Sequence, residues 1–219
     1  MTADLPLETF PALAALPFLR HGFTQRMPGL DVQTDRTTAL ARLDQHHTGI
    51  RGALGIEGLT LIQAEQVHGR EVALVDSRTV SPVPAADGLI TAEPGVCLGI
   101  YVADCGPVFL VDPERRAIGL LHSGRKGTDR GIATVAIQRM RDELGCDPSR
   151  MIAQLGPCIR PPHYEIDFAA QIIAQCHAAG LTKVFDCGTC TASNPERYYS
   201  YRAERGRTGR MLALLAIVP

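Results

Sequence analysis

Apolar positions along this chain repeat with two different periods. Short apolar runs, most of them bounded by Gly, Pro or Asp, predict strands at residues 59–62, 72–75, 88–91, 96–102, 108–111 and 118–121. Spacing of three and four predicts helices elsewhere. Ile132, Val135, Ala136, Met140 and Leu144 make one apolar face, with Thr128 or Asp129 as candidate N-cap and Gly145 just past its end. Phe168, Ile172, Ile173 and Cys176 make a second, preceded by Asp167 and stopped at Gly180. Leu40, Leu43 and Leu54 suggest a looser helix after Arg36-Thr37-Thr38, with His46 and His47 on its exposed side. The tail from Thr208 to Ile217 fits a helix, yet its apolar run is continuous enough to fit a buried strand equally. Strands gathered in the middle with helices around them predict an α+β fold, a mixed sheet packed by helices. No repeat or linker divides residues 1–219, so a single domain is expected; Ser81-Pro82-Val83-Pro84-Ala85-Ala86 reads as a loop between strands.

Composition narrows the function classes. The 219 residues are ample for a core, and a formal net charge of −1 with both signs interspersed argues against a nucleic-acid partner. No apolar run is long enough for a membrane span, and residues 1–6 lack the features of a signal peptide. Seven cysteines, an odd number without a regular framework, favour reduced thiols and a cytoplasmic setting.

Candidate chemistry begins with His68, Cys105 and His122. Two imidazoles and a thiolate suit Zn²⁺, and three protein ligands leave a fourth position open. Residues 107–111 read as a strand, 112–116 as its turn and 117–122 as the return. Folding that hairpin about Glu114 sets Gly106 opposite His122, which brings Cys105 and His122 to one sheet edge. Taken singly, Cys105 also reads as a small buried hydrophobe, His122 as a satisfied strand-end histidine and His68 as a surface turn residue. Zinc lowers the pKa of a bound water toward about 7, which makes it a usable nucleophile at neutral pH. Such a site needs a carboxylate that is not a ligand: Asp104 first, Glu165 second, with Asp104 alternatively orienting a ligating imidazole. Residues 123–128, S-G-R-K-G-T, lead toward the helix near Asp129 and read either as a phosphate cradle or as a solvated basic turn. Cys187-Gly188-Thr189-Cys190 has no second C-x-x-C and reads as unpaired thiols, with a reversible disulfide as the minor alternative.

Several phrases occur in order: H-G-F-T, Q-V-H-G, A-D-G-L-I-T (86–91), A-D-C-G-P-V (103–108), H-S-G-R-K-G-T (122–128), G-P-C-I…Y-E-I (156–166) and Y-S-Y-R…R-T-G-R-M (199–211). Together they resemble the bacterial laccase-domain family, whose members are called polyphenol oxidase, peptidoglycan editing factor, or purine nucleoside phosphorylase with adenosine deaminase activity. The resemblance implies phosphorolysis of adenosine, inosine, guanosine or methylthioadenosine and deamination of adenosine, with zinc on His68, Cys105 and His122. Cys105, Asp104 and His122 are then the catalytic candidates, and Arg26, Arg125, Lys126 and Arg202 the candidates for phosphate or ribose. Arg125 stands where the family usually carries Trp. A multicopper oxidase would need many histidines, commonly as H-x-H; this chain has seven and no H-x-H. Copper therefore enters only as an adventitious replacement for zinc. The rival reading is a metal-free cysteine hydrolase or amidase acting in peptidoglycan fidelity, with Cys105 as nucleophile and His122 as base. A non-enzymatic binding partner in cell-wall control is a third.

Overall fold

A computed structural model describes residues 5–218 and shows an α+β architecture. The strands are β1 (Leu7–Glu8), β2 (Leu19–Thr24), β3 (Thr60–Gln63), β4 (Val72–Leu74), β5 (Gly88–Thr91), β6 (Val96–Val102), β7 (Gly106–Asp112), β8 (Ala117–Ser123), β9 (Ile152–Leu155), β10 (Lys183–Asp186) and β11 (Met211–Ile217). They form two mixed sheets rather than one. The first runs β1-β2-β11-β6-β3 and the second β10-β9-β7-β8-β5-β4.

Side-chain alternation explains how the sheets stack. Leu98, Ile100, Ala213 and Leu215 of the first sheet share one apolar cluster with Phe109, Val111, Ile118 and Leu120 of the second. Their even-odd partners point the other way. After a short first helix, α1 (Pro11–Ala14), comes α2 (Arg36–Ala53), whose Ile50 packs with Cys97, Leu212, Leu214 and Ala216. Val108, Leu110 and Leu121 pack with Ile132, Ala136 and Met140 of α4 (Ile132–Leu144) and with Phe168 and Ile172 of α5 (Phe168–Ala178). The layers are thus helix, sheet, sheet, helices. This settles the tail: β11 is apolar at every position because both its faces are covered, which gives a continuous run rather than an alternating one.

Helix ends follow their caps. Asp35 and Asp167 accept the backbone N–H of Thr38 and Ala170 at 3.0 and 2.9 Å, starting α2 and α5. Gly145 ends α4 in the left-handed region at φ 66°, as expected. The start of α4 differs from expectation. Thr128 and Asp129 belong to a separate short helix, α3 (Arg125–Asp129), in which the Thr128 hydroxyl donates to the Gly124 carbonyl at 2.9 Å, and Gly131 precedes α4.

The hairpin register also differs, by one residue. Gly106 pairs with Ser123 and Pro107 with His122, because the loop is four residues long. The Asp112 carboxylate accepts the N–H of Glu114 and Arg115 at 2.9 and 3.1 Å, and Arg116 takes φ 49° to close it. Strands β1, β2, β9 and β10 lie outside the sequence pattern; β1 is only two residues long, and β2 is interrupted by Arg20 and His21-Gly22, which obscures its period.

His47 is 3% exposed, against the expectation of an outward position. Its ring lies 5.6 Å from that of Tyr101, and neither ring nitrogen has a hydrogen-bond partner. Burial lowers its pKa from 6.5 to about 4. Between those values the unfolded chain takes up a proton that the folded chain refuses. Stability is therefore complete above pH 6.5 and declines as pH falls toward 4. Replacing His47 with Leu should remove up to about 3 kcal/mol of that acid sensitivity. Urea unfolding at pH 7 and pH 4.5 checks this, and parallel losses in wild type and His47→Leu would contradict it.

Candidate active site

The corrected register brings the chemistry together. Continued one step beyond the paired residues, it sets Cys105 opposite Gly124, so Cys105 and His122 are diagonal neighbours on the same face of the hairpin. That is the inner face, looking into the gap between the two sheets: Cys105 packs against the cluster that the sheets share. The expected register would have put the two residues on opposite faces. Gly124 is required here, because a Cβ at that position would run into the Cys105 sulfur.

His68 arrives on a separate loop. Gln66 and His68 both hold left-handed backbone, φ 66° and 60°, a conformation that costs a non-glycine residue of order 1–3 kcal/mol and needs external support. The Gln66 side chain supplies part of it, accepting the Tyr101 N–H at 2.9 Å and donating to the Tyr101 carbonyl at 2.5 Å. Asp87 supplies the rest. Its carboxylate, wholly buried, accepts the N–H groups of Val67 at 3.2 Å, His68 at 2.9 Å and Gly69 at 2.6 Å. The same carboxylate lies 2.8 Å from Nδ1 of His122, whose backbone N–H donates to the Asp87 carbonyl at 2.7 Å. One side chain therefore positions two of the three candidate ligands. Burial pushes the Asp87 carboxyl up, but the His122 and Gly69 hydrogen bonds outweigh it and hold the group below its ordinary value.

The donor atoms of His68, Cys105 and His122 lie within 4.8 Å of one another. Among the described residues this is the one cluster of three or more such donors close enough to share an ion. Burial would raise the Cys105 thiol pKa, yet the two imidazoles overcome it and draw the thiol well below its usual value. Burial likewise disfavours charge on His122, but Cys105 and Asp87 overcome it and raise its pKa. With Nδ1 engaged by Asp87, His122 turns Nε2 to the cluster, the arrangement typical of a metal-bound histidine backed by a carboxylate. The donor set fits zinc: two imidazoles and a readily ionised thiolate, with one side of the cluster open to a cleft.

That cleft, about 770 Å³, is lined by Tyr164 and Phe168 on one side and by Tyr101 and Tyr201 elsewhere, with the three donors among them. Of the sequence candidates, Arg125, Lys126 and Arg202 line it and Arg26 does not. Arg26 is tied to Glu204 at 2.5 Å and lies 4.4 Å from the Tyr199 ring centre, a structural position. Gly127 and Thr128 are buried, so residues 123–128 form no open cradle; Gly124, Arg125 and Lys126 alone reach the cleft. Asp104 lines the floor but does not hold an imidazole. Its two carboxylate oxygens accept the Thr191 hydroxyl and the Arg202 N–H, each at 2.7 Å. The imidazole-orienting role falls to Asp87. Glu165 faces Arg202 at 3.2 Å and is more than half exposed. Arg36 and Arg210 also line the cleft and were not singled out from the sequence. All seven cysteines are unpaired, Cys187 and Cys190 included.

Asp87→Asn should leave the sheets intact but loosen both the His68 loop and His122. Affinity for zinc, read by competition with a chromophoric chelator, should fall about 10- to 100-fold. Wild-type affinity in that variant would contradict the role given to Asp87.

Comparison with known proteins gives the family and supports the fold. A family model described as multi-copper polyphenol oxidoreductase laccase matches residues 20–171 and 162–218. A Deinococcus radiodurans protein named purine nucleoside phosphorylase is 32% identical, with 99% of this chain and 95% of that protein covered. A Streptomyces coelicolor protein, purine nucleoside phosphorylase SCO2081, is 32% identical over 73% of this chain and 76% of its own length. The fold matches the crystal structure of Bacillus licheniformis hypothetical protein YfiH with a TM-score of 0.84 at 21% identity, covering 98% of this chain and 97% of that one. It matches YlmD from Geobacillus stearothermophilus with 0.82 at 24%, covering 99% and 100%. Matched by that family model over residues 20–218 and by a relative of nearly full length, the chain belongs to the multi-copper polyphenol oxidoreductase laccase family.

Proposed function

We propose that this chain is a zinc-dependent purine nucleoside phosphorylase that acts on adenosine, inosine, guanosine and methylthioadenosine and also deaminates adenosine. The observation that carries the reading is the convergence of His68, Cys105 and His122 at a cleft that holds both aromatic rings and cations. The relatives named purine nucleoside phosphorylase supply the reaction class. Zinc, held by those three side chains, would supply a Lewis acid at its open position.

The chain's own residues account for the rest of the chemistry. Tyr164 and Phe168, edge to face with centroids 5.8 Å apart, offer an apolar surface for the purine. Arg125, Lys126 and Arg202 attract inorganic phosphate and neutralise its charge as an oxygen reaches the anomeric carbon and the glycosidic bond opens. Arg125 replaces the aromatic surface usual in the family with a guanidinium plane. Asp87 keeps the proton on Nδ1 of His122, so Nε2 stays directed at the cluster.

A second reading rests on a specific feature: Cys105, His122 and Asp87 stand in the order nucleophile, base and orienting carboxylate. A cysteine amidase of peptidoglycan fidelity would use that order without metal, with Asp87 rather than Asp104 as the third member.

Metal analysis of freshly purified protein, coupled to product identification with adenosine and phosphate, separates the two. The phosphorylase reading expects about one zinc per chain, adenine and ribose 1-phosphate as products, and inosine from deamination. In Cys105→Ala the zinc and both activities should disappear together while the melting transition persists. Metal-free protein whose Cys105 is alkylated rapidly by iodoacetamide, with or without chelator, and which releases no purine would overturn it in favour of the amidase.

A further inference from the structure

Two arginines in the cleft are left unused by the phosphorylase reading. Arg36 is the first residue of α2, and Arg210 immediately precedes β11, so both belong to the side of the cleft built on the first sheet. Arg125 and Lys126 lie on α3, which continues from β8 of the second sheet. The cleft thus draws its cations from two separate parts of the fold.

The cations are matched to different degrees. Arg125 has Asp129 at 3.8 Å and Arg202 has Glu165 at 3.2 Å, while Lys126 has no ion pair among the described residues. Among the described residues, Arg36 and Arg210 form no ion pair. Arg210 donates only to the carbonyls of Thr208 and Gly209, both at 2.8 Å, with its guanidinium carbon 5.7 Å from the Tyr201 ring centre. The Arg36 side chain makes no hydrogen bond to a described residue and sits at a helix start, where the helix dipole disfavours a cation. Burial, and then the nearby Arg36 charge, lower the pKa of Arg210. Arg36 is exposed and Arg210 half-buried, and Tyr201, Asp104 and Cys105 offset only part of the penalty on the Arg210 charge. An anion bound between the two arginines relieves the remainder.

We propose that Arg36 and Arg210 bind a phosphomonoester carried by the ligand itself, so that the cleft accepts purine nucleoside 5′-phosphates. This rests on the purine reading of the site and extends it. Free phosphate, the co-substrate of phosphorolysis, is served by Arg125, Lys126 and Arg202. Arg36 and Arg210, carried on the first-sheet side of the cleft rather than by α3, suit a second phosphate, one attached to the nucleoside. Planar guanidinium groups match the oxygens of a phosphomonoester, and Tyr101 and Tyr201 border the same region.

Calorimetric titration of the full chain with inosine and with inosine 5′-monophosphate, in phosphate-free buffer, tests this without turnover at C6. The nucleotide should bind at least about tenfold more tightly than the nucleoside, with the advantage shrinking as salt rises. Arg36→Gln and Arg210→Gln should each lower the nucleotide-to-nucleoside affinity ratio by about tenfold. Arg36 is exposed, so its variant serves as the test should Arg210→Gln fold poorly, melting curves being recorded for both. Equal affinity for the two ligands in wild type, or a ratio unchanged in Arg36→Gln, overturns the proposal. It is also overturned if inorganic phosphate tightens inosine binding through these arginines while the nucleotide has no advantage. If the nucleotide binds through them yet inosine with phosphate yields no hypoxanthine, the phosphorylase reading fails and the nucleotide site stands.

Discussion

The buried carboxylate of Asp87 is the interaction on which the site depends. A wholly buried ionised group is tolerated only when its oxygens are fully engaged, and here three backbone N–H groups and an imidazole engage them. The arrangement works in both directions. The loop holding His68 in left-handed backbone stays in place because its amides converge on Asp87, and Asp87 stays ionised because they do. His122 joins from strand β8, which pairs with β5, the strand that starts just after Asp87. A loop and two strands are thereby tied to one point at the edge of the second sheet.

Close backbone approach completes the construction. Gly124 leaves space for the Cys105 sulfur, and a Cβ on Gly127 would stand 3.1 Å from the Gly69 carbonyl. Helix α3 can then lie directly against the His68 loop. The cleft opens beside this packed corner, with His122 on β8, Cys105 one residue before β7 and His68 on the loop that Asp87 holds, while Arg125, Lys126 and Arg202 reach in from more exposed positions.

Much of this was legible in the sequence, for identifiable reasons. Strands β5, β6, β7 and β8 and helices α4 and α5 carry clear periods and caps, and His68, Cys105 and His122 advertise themselves by residue type. The register was missed by one residue because the Asp112 carboxylate closes a longer loop than symmetry about Glu114 suggests. Coverage of both faces hid the strand character of β11 behind a continuous apolar run. His47 was misplaced because it is a polar residue buried without a partner, which no polarity pattern reveals. Asp87 lay inside a phrase already noted, A-D-G-L-I-T, but a lone aspartate before a strand gives no sign that two distant histidine segments converge on it. Arg26 and Arg202 look alike in sequence; only the fold turns one toward Glu204 and the other toward the cleft.

The proposed phosphorylase rests on a metal centre formed by His68, Cys105 and His122 together. X-ray absorption at the zinc edge on stoichiometrically loaded protein tests it most directly. One sulfur scatterer at about 2.3 Å and two imidazole nitrogens at about 2.0–2.1 Å are expected, with any remaining light atom coming from solvent or buffer. A first shell without sulfur, or one with several sulfurs and no imidazole, would contradict it.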